Sequence, residues 1–274
     1  MQAVCDGGGS DFPRAEAVMF SRHDLSDDHW ERVRPLLPGQ AGGHGGVGGD
    51  TRLFVNVIRY LARTGIAWAD LPTAVGKWNS LRQRYNRWCE RGVWERVAGA
   101  LRDDDTEWLL VDSTCVRAHP SAAGAKIKAD GSGGQSAQAL GRGGGGFGSK
   151  LHAAVSPLGH PVRLHLTGAN AADSPHLPAL IAGVETTAVV ADKGYDADTN
   201  RAAIRARGAG PCIPPRRNRT AVIGYDRHLY RERNGVERFF GRVKQYRRVA
   251  TRYDKKAANF LGFVWLAAIA VILA

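Results

Sequence analysis

Hydrophobic residues follow two different periods along the chain. Between Leu25 and Leu101 they recur every three or four residues, as on one face of a helix. From Trp108 onward they form short continuous or alternating runs, as in strands. The pattern predicts a helical segment followed by an α/β segment in which helices surround a mixed sheet.

The helical segment contains three predicted helices with clear ends. Ser26 can cap the first helix, over SDDHWERVRPLL, whose acidic first turn complements the helix dipole. The second covers residues 52–64 and stops at Gly65. The third covers residues 77–91 and stops at Gly92, and VWERVAGAL follows it.

Basic residues on the third helix suggest a nucleic-acid contact. An aromatic row backs this helix, so helix, turn and basic helix together resemble a helix-turn-helix in outline. An ordinary helical bundle with a charged solvent face fits the same spacing equally well. The candidate DNA contacts here are Lys77, Arg82, Arg84 and Arg87.

The α/β segment opens with WLLVDST, a buried-strand pattern that ends in an acid, and TAVVAD repeats that pattern further on. Between them KLHAAVSP and GHPVRLHLT alternate and are joined by a turn at residues 157–159, which predicts a hairpin. SPHLPALIAG and DTNRAAIRARG predict helices, and CIPP predicts a short strand. The basic run from Tyr230 predicts one long helix, followed by an apolar helix over residues 257–274.

Two glycine-rich stretches, at residues 39–49 and 131–148, interrupt these patterns. Neither is expected to hold a helix or strand against the backbone entropy of glycine, so both predict mobile loops. The resulting boundaries are a disordered tail over residues 1–24, a helical domain over 25–102, and an α/β domain over 106–274 with a glycine-rich loop at about 121–149.

Charge points to a polyanionic partner. The net charge is +12 over 274 residues, which suits nucleic acid or an anionic membrane surface. Residues 213–256 alone carry a net +10, so the anion is expected to meet that stretch. The four cysteines lack metal-ligand spacing and suit a reducing interior. The apolar segment at 257–274 has the length of a membrane anchor but fits a buried helix as well.

Three acids stand out as candidates for chemistry. Asp112 and Asp192 each follow a buried strand, and Glu237 lies within the arginine-rich stretch. A single acid at a strand end is most often a cap. Two of them favour a functional interpretation, because adjacent strand ends can bring both carboxylates to one place.

The predicted basic helix carries a row of polar residues around its glutamate. At about 100° per residue, Tyr230, Arg233, Glu237 and Lys244 fall within a roughly 60° arc. Gly241 falls in the same arc, where it would let another backbone approach. A neighbouring apolar stripe is expected to pack on the sheet; it consists of Val236, Phe239, Phe240 and Val243. Three converging carboxylates suit Mg²⁺ or Mn²⁺, which prefer oxygen ligands.

At these residues the sequence resembles the DDE transposases of bacterial insertion sequences, in the YREK-signature branch and its insertion-sequence-five group. The signature is Tyr, two residues, Arg, three residues, Glu, six residues and Lys, and it is met by Tyr230, Arg233, Glu237 and Lys244. DSTCVRAHPSAAGA and ADKGYD resemble the blocks around that family's two catalytic aspartates. The intervening hairpin, the C-terminal end and the LSDDHWERVRPLLP block of the helical part resemble the family too.

The resemblance implies a ribonuclease H-like catalytic fold, with Asp112, Asp192 and Glu237 binding two divalent ions, Mg²⁺ or Mn²⁺. It implies metal-dependent cleavage and strand transfer of double-stranded DNA at terminal inverted repeats, with the helical domain holding those repeats. Tyr230, Arg233 and Lys244 would contact DNA near the cut, and Arg248 extends this basic row. A dimer on DNA in the bacterial cytoplasm, with no membrane contact, is expected. The alternative is a DNA-binding protein derived from such a transposase without catalysis.

Four histidines of the α/β segment do not share metal-ligand spacing. They are His119, His152, His160 and His165. They are therefore expected to be surface or DNA-facing side chains.

Overall fold

The computed structural model describes residues 21–39, 50–103, 105–126 and 133–274. The predicted tail lies outside the described residues up to residue 20, and so does the first glycine-rich stretch from residue 40 to residue 49. The fold is that of these four ranges.

The helical segment forms where the periodicity predicts it. Ser26 accepts a hydrogen bond from the backbone N–H of His29 and caps the first helix. Gly65 and Gly92 both take left-handed backbone conformations, with φ of +78° and +62°, and end the helices before them. The helices are α1 (Asp27–Val33), α2 (Thr51–Thr64), α3 (Trp78–Glu90) and α4 (Val93–Leu101).

A mixed sheet confirms the predicted α/β segment. Its strands are β1 (Trp108–Ala118), β2 (Gly141–Gly143), β3 (Gly146–Val155), β4 (Pro161–Gly168), β5 (Ala188–Ala191), β6 (Gly210–Cys212) and β7 (Thr251–Arg252). β1 is central: it pairs antiparallel with β3 on one side and parallel with β5 on the other. β3 and β4 form the predicted antiparallel hairpin, and β6 extends the parallel side beyond β5.

The predicted long basic helix is wrong, because the run is divided into three pieces. The helices after β1 are α5 (Gly134–Ala137), α6 (Leu177–Ile181), α7 (Asp198–Arg205), α8 (Arg227–Arg231), α9 (Asn234–Val243), α10 (Arg247–Ala250) and α11 (Ala257–Ile272). α9 begins at Asn234, next to Gly235, where the Asn–Gly pair weakens a continuous helix. Tyr230 and Arg233 therefore precede the helix that carries Glu237.

The second glycine-rich stretch is not simply a loop. Residues 141–143 pair with β3 as a strand around a turn at Gly144 and Gly145. A side chain at Gly143 would meet the Ala169 carbonyl oxygen at 2.6 Å, and one at Gly148 would overlap the Val116 carbonyl. Glycine is used here because neighbouring backbone lies too close for a Cβ, which compensates for its entropy cost.

Two apolar layers cover the sheet. Leu110 and Val190 on one face pack with Val236 and Phe239 of α9 and with α11, in a core that extends to the helical segment. Leu109, Val111 and Val189 on the other face pack with α6 and α7. The helix α11 contacts α2, α3 and α4 as well as α9. Among the described helices, none has the length and apolar character needed to cross a bilayer.

Candidate active site

Strand pairing aligns the two candidate aspartates. β1 and β5 run parallel, with Val111 opposite Ala191, so Asp112 inside β1 and Asp192 just after the end of β5 come next in register. The predicted strand end at Asp112 is wrong, because β1 continues to Ala118. Side chains alternate between the faces of a strand, so Asp112 shares the face of Leu110. Asp192 continues β5 with extended backbone (φ −75°, ψ 172°) and shares the face of Val190. Both aspartates therefore lie on the face that α9 covers.

Glu237 reaches the same face from α9. The apolar stripe predicted for this helix is buried against the sheet, as expected: Val236, Phe239, Phe240 and Val243. Gly235 lies deepest, because a Cβ there would come within 2.6 Å of the Leu110 side chain. Gly241 has no neighbour within 4 Å of such a Cβ, so the close approach expected there occurs at Gly235 instead.

Arg233 links the acids. One guanidinium nitrogen donates to Asp112 Oδ2 at 2.9 Å, and the other pairs with Glu237 one turn along. Burial raises the pKa of Asp112 above its ordinary value, and the nearby charges of Asp192 and Glu237 add to this, while Arg233 opposes it. Asp192 and Glu237 are thus close enough to Asp112 to act on its carboxyl.

Lys244 and Tyr230 flank this group. The Lys244 ammonium donates to Thr114 Oγ1 at 2.6 Å and to the Cys115 carbonyl oxygen at 3.2 Å, on the same strand as Asp112. Burial lowers the pKa of Lys244 and raises that of Tyr230. Contacts therefore join all four signature residues to one another and to β1 around Asp112, despite the break in the predicted helix.

The donor set fits hard divalent cations in its chemistry, since three carboxylates on one face offer the oxygen ligands that Mg²⁺ and Mn²⁺ prefer. Over the described ranges, no three His, Cys, Asp or Glu side chains are arranged so that they could hold a metal ion. At this site the Arg233 guanidinium lies between Asp112 and Glu237 and pairs with both.

Two of the candidate DNA-binding residues, Arg248 and Arg84, make contacts within the protein. Arg248 is 4 % exposed, donates to the Ile66 carbonyl oxygen and stacks on Phe263. The expected DNA contact of Arg248 is therefore wrong, since its guanidinium is not accessible to a phosphate. Arg84 lies over the Phe54 and Trp88 rings, at 4.3 Å and 5.0 Å, and packs α3 on α2. The candidates exposed on this helix are Lys77, Arg82 and Arg87.

Some of the basic side chains near Glu237 in sequence form ion pairs and hydrogen bonds within the protein. Asp196 is buried between Arg201 and Arg219, at 2.9 Å from each. Burial alone would raise the pKa of Asp196, but the backbone N–H of Arg216 and these guanidinium groups hold it below its ordinary value. Arg252 is fully buried and donates to Ser149 Oγ. Part of the +10 stretch therefore holds the fold together.

A second polar cluster lies on the opposite face of the sheet and was missed from sequence. Ser113, next to Asp112, donates to Asp173 Oδ1 at 2.6 Å, and Lys150 lies 3.1 Å from the same oxygen. His152 and His165 pair across β3 and β4 in the same row as Ser113. His152 is fully buried, so its expected surface position is wrong. The signal that could have revealed this cluster is the pairing of β1, β3 and β4, which places Ser113, His152 and His165 side by side.

Comparison with known proteins covers both parts of the chain. Residues 25–98 match a family model described as a putative transposase of the IS4/5 family. Residues 104–273, more than half of the chain, match the transposase DDE domain. No solved structure matches the chain.

Several curated proteins are similar to parts of this sequence. An uncharacterized protein of Sinorhizobium fredii is 45 % identical over 103 residues, which are 37 % of this chain and 82 % of that protein. A putative transposase for insertion sequence element IS6501 of Brucella ovis is 40 % identical over 121 residues, 43 % of this chain and 93 % of that protein. A transposase for insertion sequence element IS1106 of Neisseria meningitidis is 34 % identical over 110 residues, 38 % of each chain.

Proposed function

The chain belongs to the DDE transposases of insertion sequences, whose ribonuclease H-like fold its mixed sheet shares, and we propose that Asp112, Asp192 and Glu237 are its catalytic carboxylates. One observation carries this proposal. The parallel register of β1 and β5 aligns the two aspartates, and α9, which packs on the same face, carries Glu237, which Arg233 links to Asp112. We propose that this site cuts and rejoins DNA strands.

Two divalent ions, Mg²⁺ or Mn²⁺, held by these three carboxylates would stabilise negative charge on the phosphodiester and increase the acidity of the attacking hydroxyl or water. The chain's own contribution is to keep three negative charges together on one face of the sheet, at partly exposed positions. Arg233 pairs with two of them, Asp112 and Glu237. If divalent ions replaced it there, its planar guanidinium would be suited to bidentate pairing with a DNA phosphate.

The residues around the carboxylates would orient the DNA backbone. Lys244 holds its ammonium against β1, where it is fixed by Thr114 rather than free in solvent. Tyr230 lies 5.9 Å from the Arg233 guanidinium and restricts it by stacking. These groups bind phosphates without reading bases, so they position DNA and carry no sequence preference.

Sequence recognition is assigned to the helical segment. Lys77, Arg82 and Arg87 are exposed on α3 and can reach the terminal inverted repeats of the element. We expect a dimer to hold two such ends together in the bacterial cytoplasm. A derived DNA-binding protein without catalysis has no specific observation in its favour, because all three acids are kept at the site.

The test is a cleavage assay on a supercoiled plasmid that carries the element's own ends, with Mg²⁺ or Mn²⁺. Asp192→Asn preserves size and removes one ligand charge, so we expect cleavage to fall by more than about 100-fold. Asp103→Asn removes an exposed acid next to β1 and should cleave as the wild type does. Full activity of Asp192→Asn would overturn the catalytic assignment. Joined products in a target plasmid would distinguish transposition from simple hydrolysis.

A further inference from the structure

A basic pocket lies away from the carboxylates, where the start of the described chain meets α2 and the segment after α9. It is a cavity of about 300 Å³ lined by Arg22, His23, Arg59, Arg63 and Tyr246. Among the residues that the structure describes, its lining contains three guanidinium groups and no acid. The proposed catalytic residues make no use of it.

The charge in this pocket is largely uncompensated. Burial lowers the pKa of His23, and the guanidinium groups of Arg22, Arg63 and Arg59 lower it further, which places all three cations around the imidazole. The acid that opposes them at His23 is Asp24, whose own pKa is raised by burial. At the imidazole, three guanidinium groups therefore act against one carboxyl among the described residues, and an added anion would be stabilised.

The arginines are held in place while most of their donors stay available. Arg59 donates through Nε to the His23 carbonyl oxygen at 3.1 Å. Arg63 lies 5.1 Å from the Tyr246 ring centre, and its Nη1 is 3.5 Å from Gln245 Oε1. Each guanidinium has five N–H donors in a planar fork. Such a fork matches the oxygens of a phosphate.

The pocket is joined to the proposed catalytic site by a very short piece of chain. Lys244 contacts β1 beside Asp112, and Tyr246, which lines the pocket, is two residues further on. Their Cα atoms are therefore at most about 7.6 Å apart. A DNA strand that leaves the carboxylates past Lys244 would meet the pocket within a few nucleotides.

We propose that this pocket binds a backbone phosphate of DNA and fixes the path of the strand as it leaves the carboxylates. The inference rests on the proposed function, since it takes DNA to be the substrate. The pocket recognises the phosphate group and not the bases, so its effect is independent of sequence. It ties the helical segment, through α2, to the DNA held at the sheet.

The test compares Arg63→Gln with Arg205→Gln, which removes the same charge from an exposed position on α7. A fluorescein-labelled duplex of about 30 base pairs is titrated at several salt concentrations, and binding is followed by anisotropy. For Arg63→Gln the slope of log K against log salt should fall by about 0.9, as expected for one lost phosphate contact. Arg205→Gln should keep the wild-type slope. Arg22→Gln repeats the test at an exposed wall of the pocket, and circular dichroism verifies that each variant is folded.

A direct readout comes from the imidazole of His23 in NMR titrations. Bound phosphate should raise the pKa of His23 when the duplex is added, while the signals of the partly exposed His29 on α1 stay unchanged. Inorganic phosphate is titrated separately. If it shifts His23 at the same phosphate concentration as the duplex, and Arg63→Gln leaves the salt slope unchanged, the pocket is a site for free phosphate and the proposal is overturned.

The outcomes separate this proposal from the proposed function. Metal-dependent cleavage by the wild type, with equal salt slopes for Arg63→Gln and Arg205→Gln, overturns the pocket alone. A reduced slope for Arg63→Gln, in a wild type that shows no metal-dependent cleavage, supports the pocket and overturns the catalytic proposal.

Discussion

His152 is a buried imidazole surrounded by groups that disfavour its charge. Burial is the largest cause that lowers the pKa of His152 to about 3, and the nearby charge of His176 is the next. His165 and Lys150 lower the pKa further, and Asp173 raises it. Its Nε2 lies 2.9 Å from Thr167 Oγ1. The unfolded chain takes up a proton near pH 6.5 and the folded chain does not, so the contribution of His152 to stability is lost as the pH falls from about 6.5 towards 3.

We therefore expect His152→Gln to be less sensitive to acid than the wild type. Between pH 7 and pH 5, urea unfolding should show the wild type losing about 2 kcal/mol more stability than the variant. His228→Gln alters an exposed histidine and should follow the wild type. Parallel pH dependence of the wild type and His152→Gln would show that this imidazole is protonated in the folded protein.

Some single-residue positions could be predicted from the sequence and others could not. Asp112 and Asp192 were predictable because each follows a buried-strand pattern, and the structure adds the register that aligns them. The ion pair of Arg233 with Asp112 was not, since it joins residues 121 positions apart. The burial of Arg248 depends on the Ile66 carbonyl in the helical segment, which no local pattern reveals.

At the level of elements, periodicity predicted those helices and strands that bury one face. It failed for the basic run, because arginine-rich sequence keeps helical spacing across the break before Asn234. It failed again for β2, whose glycines are needed for close backbone contact and not for a turn alone. The first failure reflects the low helix propensity of the Asn234–Gly235 pair, and the second reflects tertiary contacts that outweigh local propensity.

Two glycines of α9 give an internal comparison. Gly235→Ala adds a methyl within 2.6 Å of Leu110, which is fully buried, so the helix must move away from the sheet. We expect a loss of about 1 to 3 kcal/mol in urea unfolding, despite the better helix propensity of alanine. Gly241→Ala adds the same methyl into open space and should stabilise the protein by up to about 1 kcal/mol. Equal effects of the two substitutions would contradict the docking of α9.

For the whole molecule, α11 determines which parts fold together. Phe263 of α11 stacks on Tyr85 of α3 at 4.6 Å, and the Tyr85 hydroxyl donates to the Asn259 carbonyl oxygen. The same helix packs on α9, so one apolar core includes the helical segment and one face of the sheet. From the sequence the terminal segment fitted a membrane anchor or a buried helix, and this shared core was not predicted, because apolar residues do not specify their partners.

We expect this shared core to unfold in one step. Tryptophan fluorescence, dominated by the helical segment, and far-ultraviolet circular dichroism should give the same urea midpoint. Gly262→Ala would press a methyl against Cys89 and Tyr85, so the free energy of unfolding should fall by about 1 to 3 kcal/mol. Both urea midpoints should therefore move down together. Gly99→Ala on α4 meets nothing within 4 Å and is the control. A fluorescence midpoint that falls alone would show that the sheet unfolds independently.

The alternation of β1 limits how the gene can change in length at this point. Asp112 lies on the face of the carboxylates, and Ser113 lies on the face of the histidines. Neighbouring residues of β1 therefore belong to two different polar clusters, one on each face of the sheet. Inserting or deleting one codon upstream in β1 would turn every later side chain to the other face, sending the acid among the imidazoles. Substitutions can alter either face separately, and length changes in steps of two residues would preserve which group faces which side. The strand is therefore expected to tolerate substitutions far better than insertions or deletions of an odd number of residues.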